Sequence, residues 1–144
     1  MTLTMLAPTR LAPAMPTRHH LLADLDAATY ASADAHEATR ALTDTVLACQ
    51  YLPAEIYKHA PYLSHALAAV TAATRTLTTV TGYATADPSP ENGYALRRAT
   101  ADLAAATADL RDQIAALTTA VAWYTRSAAL PPTTAITPPR EPQL

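Results

Sequence analysis

The chain has 144 residues, 50% of them hydrophobic but only 6% aromatic and none phenylalanine, so it is long enough for one domain whose core is made of small side chains. A net charge of −2 and a pI near 6.2 give neither a basic surface for phosphate backbones nor an acidic tail, which argues against nucleic acid as a partner. Cys49 stands alone, which rules out an intramolecular disulfide and fits a reducing compartment.

Residues 1–17 read as a flexible proline-rich arm. Pro8, Pro13 and Pro16 interrupt every apolar run, so no secretory signal forms, and an imperfect repeat (Leu6 to Arg10, Leu11 to Arg18) favours extended backbone. Lys58 is the only lysine and Asn92 the only asparagine, a bias expected of translated GC-rich DNA and carrying no functional meaning. Further prolines cluster at 53 and 61, at 88 and 90, and from 131 to 142. Proline breaks helices, so the proline-free spans 17–52, 62–87 and 91–130 are the helices, residues 18–130 the folded domain and residues 131–144 a second flexible tail.

In the first span Leu21, Leu25, Ala28, Ser32, Ala35, Thr39, Leu42, Val46 and Cys49 follow steps of four and three and lie along one face. Asp24, Asp34, Glu37, Arg40 and Asp44 point outward. In the second, Leu63, Leu67, Val70, Thr74, Leu77 and Thr81 make the same stripe, and Ile56 and Ala60 extend it backwards past Pro61. That extension favours a kinked continuous helix from about Ala54 over a short helix followed by a long one. Gly82 is placed to end the helix in a left-handed turn, and Ser89-Pro90-Glu91 supplies a capping hydroxyl, a first-turn proline and an acid for the next. The most apolar stretch, Ala66 to Val80, holds Arg75 and five threonines and is too short to span a bilayer, so a cytoplasmic protein away from membranes is expected.

The third span carries a leucine every seventh residue, Leu96, Leu103, Leu110 and Leu117, with Tyr124 completing the series and Ala99, Ala106, Gln113 and Ala120 between. Ile114 and Val121 widen the face enough to contact two helices. An all-α fold follows: an antiparallel up-down-up three-helix bundle with long, coiled-coil-like helices. Because the third helix outruns the second by roughly 27 Å at 1.5 Å per residue, part of the leucine seam is expected to be covered by a second copy, making Leu96, Leu103, Leu110 and Leu117 a self-association surface.

Candidate chemistry is sparse. Glu55 and His59 share a helix face, with His36, Glu37 and His65 elsewhere, but no Glu-x-x-His occurs and no metal or other cofactor is expected. Asp102, Asp109 and Asp112 read as a solvated face paired with Arg98 and Arg111, and Cys49 as a small buried hydrophobe rather than a nucleophile. Up-down-up topology gathers Tyr51, Tyr57, His59, Tyr62, Trp123 and Tyr124 at one pole, a candidate binding surface, with Tyr83 and Tyr94 at the other. The expected function is therefore non-enzymatic: a self-associating adaptor, scaffold or assembly component, meeting any protein partner through the aromatic pole or the proline-rich tails. The alternative is a small-molecule binder or enzyme using the pole around Tyr51, Tyr57 and Trp123.

Overall fold

The computed structural model describes residues 17–49 and 54–129, so the arm up to Pro16, the tail from 131 and Tyr51 lie outside the described residues, while Thr17 already belongs to the first helix. Three helices form the bundle: α1 (Thr17–Ala48), α2 (Ala60–Ala86) and α3 (Pro90–Ala129), with a short 3-10 helix, Ala54–His59, leading into α2. The described residues contain no strand, as the helical periodicity of all three spans requires.

The helix ends follow local chemistry, with two departures from the sequence reading. Ser89 caps α3 as expected, its Oγ accepting the Asn92 backbone N–H at 3.1 Å. By contrast, α2 runs straight through Gly82 and stops only at Ala86. The stop comes from Pro88, which drives the residue before it out of helical geometry (Asp87 φ −140°, ψ 85°). Asn92 then closes the α2–α3 turn, its side-chain amide donating to the carbonyl oxygens of Asp87 at 2.7 Å and Tyr83 at 3.4 Å. At the other end, Pro61 begins the α-helix instead of kinking one. It occupies the first turn of α2, where its missing N–H has no partner to lose, and the tighter 3-10 turns precede it.

The bundle is built on α3. Arg97 pairs with Asp24 at 3.0 Å and Arg111 with Asp34, so α1 ascends alongside α3 while α2 returns between them in sequence, giving the up-down-up course. Asp102, Asp109 and Asp112 are exposed, as a solvated face requires, but Arg111 pairs with Asp34 of α1 and not with those aspartates.

The leucine seam is fully used inside one chain. Leu96, Leu103 and Leu110 are 0% exposed and Leu117 is 3% exposed, so these four leucines are covered within the chain and are not open to a second copy. The length mismatch that pointed to a second copy shrinks to roughly 10 Å because α2 is longer than expected and the 3-10 helix extends it. With 32 residues in α1, and 6 plus 27 in the 3-10 helix and α2, both arms reach roughly 50 Å along the roughly 60 Å of α3.

Small residues let the arms approach. Ala28, Ala35, Ala38 and Leu42 of α1, and Leu63, Ala66, Val70 and Leu77 of α2, are buried in the core they share with the seam. Ala38, absent from the stripe read in the sequence, is completely buried, whereas Ser32 and Val46 of that stripe are exposed. α1 is thus turned about its axis relative to that stripe, and the Ser32–Thr39–Val46 edge faces α2. Within the core one polar group stands out: Thr107 is buried and its hydroxyl has no hydrogen-bond partner.

Candidate functional site

α1 and α2 each pack along α3 but touch each other little, which leaves a channel between them. Leu25 and Ser32 face Leu77 and Thr81 at one end, and Ser32 to Thr39 face Val70 to Thr74 in the middle. Three of the threonines in the middle are already satisfied. Thr39 donates to the Ala35 carbonyl at 2.9 Å, Thr71 to Leu67 at 2.9 Å and Thr74 to Val70 at 2.8 Å, each four residues back on its own helix. A self-bonded threonine makes no further demand for a donor or acceptor, so Thr39, Thr71 and Thr74 accept a close neighbour, while the exposed His36 and Arg75 bring polar and charged groups to the same stretch.

At the pole near the 3-10 helix the channel ends in a pocket of about 260 Å³. Leu42, Val46 and Cys49 form the α1 wall, Leu63, Ser64 and Leu67 the α2 wall. Leu117 of α3 is part of the lining, as are Tyr57 and Ala60. The Tyr57 hydroxyl donates to the Cys49 carbonyl oxygen at 3.3 Å, just past the end of α1, where that carbonyl has no helical partner of its own. This bond ties the 3-10 helix to α1 and holds the pocket end in shape. Burial pushes the Cys49 thiol above its ordinary pKa of 9.0, so it is a neutral, weakly polar group at physiological pH and a poor nucleophile.

Of the residues expected at the aromatic pole, the pocket therefore takes Tyr57. His59 is half-buried and Tyr62 exposed, and neither lines it. Trp123, 54% exposed, packs edge-to-face on the half-buried Tyr124 with ring centroids 4.8 Å apart, also outside the lining. Tyr83 and Tyr94 are exposed. The sequence reading missed the site's walls, because Leu42, Val46, Leu63, Leu67 and Leu117 look like ordinary stripe residues until the spacing of α1 and α2 is known.

Among the described residues no three His, Cys, Asp or Glu groups come together to hold a metal ion; the Glu55 side chain is outside the description. No described helix is long and apolar enough to cross a membrane. Comparison with protein-family models, with curated proteins and with solved structures found no match to the chain.

Proposed function

We propose that this protein is a non-enzymatic, self-associating helical module, an adaptor or assembly component of the cytoplasm, whose association surface is the α1–α2 channel. The observation that carries this reading is the open side of the bundle: two helices lean on α3 without closing on each other. A helix of a second copy laid along the channel would complete a four-helix cross-section, the usual way such a side is covered. Small or self-satisfied side chains at Ser32, Thr39, Thr71 and Thr74 support close helical approach, and Leu25, Leu67 and Leu77 supply apolar surface along the channel. Coiled-coil character belongs to the same proposal, with the new seam on α1 and α2 in place of α3.

Light scattering tests it. At about 100 μM the wild-type mass should exceed the 15.2 kDa of one chain and fall on dilution. Ser32→Arg or Thr71→Arg, each replacing an exposed residue in the channel, should return the mass to 15.2 kDa with the helical content intact. A wild-type mass of one chain at every concentration, or variants that associate like the wild type, would overturn it.

A further inference from the structure

Beyond self-association, we infer that the pocket latched by Tyr57 and Cys49 is a binding site for a small, uncharged, largely hydrocarbon ligand. Three properties of the pocket set that class. Size comes first: an apolar protein cavity of about 150 Å³ takes up benzene, so a pocket of about 260 Å³ has room in proportion for about ten non-hydrogen atoms. The walls come next. Leu42, Leu63, Leu67 and Leu117 converge from three helices, and no charged side chain is among the described residues that line the site. An ionised ligand would give up its hydration there without a counter-charge, whereas a hydrocarbon chain or ring gives up nothing.

The last property is the polar content. The Tyr57 proton is committed to the Cys49 carbonyl, which leaves the Tyr57 oxygen only as an acceptor, and the Cys49 thiol is a weak donor, so the Ser64 hydroxyl on the exposed side of α2 is the free strong donor in the lining. The ligand therefore carries at most one neutral polar group, held at the mouth. The pocket also resists collapse. Its walls are the core leucines that fix α1 and α2 on α3, and the Tyr57 bond holds the end, so closing it means moving whole helices.

Octan-1-ol, which has nine non-hydrogen atoms and one hydroxyl, is the probe, and octanoate is its charged counterpart. The experiment uses full-length chain carrying Ser32→Arg, so that a failure of ligand binding is read separately from a failure of self-association. Octan-1-ol should shift the leucine methyl resonances saturably with a Kd between about 10 μM and 1 mM. It should also slow the reaction of Cys49, the chain's single thiol, with a thiol reagent. Octanoate should bind at least about tenfold more weakly. Ser64→Phe, or Ala60→Phe should the first not fold, places a ring in the mouth from an exposed helix position and should abolish binding with helical content retained. No saturable shift with octan-1-ol, equal binding of octanoate, or binding that survives the filled pocket would each overturn the assignment.

Discussion

Thr107 offers the sharpest test of how this core is built. It lies in α3 with 1% of its surface exposed, and its hydroxyl has no partner. Thr39, Thr74 and Thr100 show the ordinary solution, each donating to the carbonyl four residues back. Valine has the branching and nearly the shape of threonine, so Thr107→Val removes the stranded hydroxyl without opening a cavity or changing side-chain stiffness in the helix. An unsatisfied buried hydroxyl costs about 1–3 kcal/mol, and the lower end applies to a single neutral group, so the variant should be more stable by about 1 kcal/mol. For a domain of this size that is roughly 4 °C in Tm. Urea unfolding followed by far-ultraviolet circular dichroism measures it, with an unchanged slope showing that the unfolded state has not shifted. Thr100→Val is the control. It deletes a 2.8 Å bond to the Leu96 carbonyl and should give no gain. A Thr107→Val protein less stable than the wild type would mean that the hydroxyl is bonded in solution, and the packing around this turn of α3 would need to be redrawn.

Two further outcomes follow from burial. Leu110→Ala, at a fully buried seam position, should cost about 2–5 kcal/mol in urea unfolding. The mass of the folded variant should stay that of the wild type at equal concentration, and a selective loss of association with stability unchanged would return the seam to the surface. For Cys49, both states hold the neutral thiol well below pH 9.0, and above it the unfolded chain ionises first because burial raises the folded pKa. Wild-type stability should therefore fall relative to Cys49→Ala as pH rises from about 8 to 10, and a pH-independent difference would show the thiol to be hydrated.

The helices themselves were legible in the sequence. Proline cannot sit inside one, and the steps of three and four that put Leu63, Val70 and Leu77 on one face survive any rearrangement of neighbours. The Ser89 cap was equally legible, since a hydroxyl followed by proline and an acid acts within one turn. Gly82 misled because helix termination is a competition, and Pro88 with the Asn92 amide stops the chain more firmly than a glycine that can remain helical.

What only the tertiary structure decided is which residues of each stripe meet which helix. A stripe of apolar and small side chains spans a third of a helix surface, and rotation within it is fixed by the partner's shape: Ala38 goes inward because its size lets α1 approach the α3 leucines, and Val46 is left 49% exposed at the edge. The same rotation covers Leu110, opens the channel between Ser32 and Thr74, and turns Leu42, Tyr57 and Leu117, distant in sequence, into walls of one pocket. A spacing between two helices is a property of three packed surfaces together, and no single periodicity contains it.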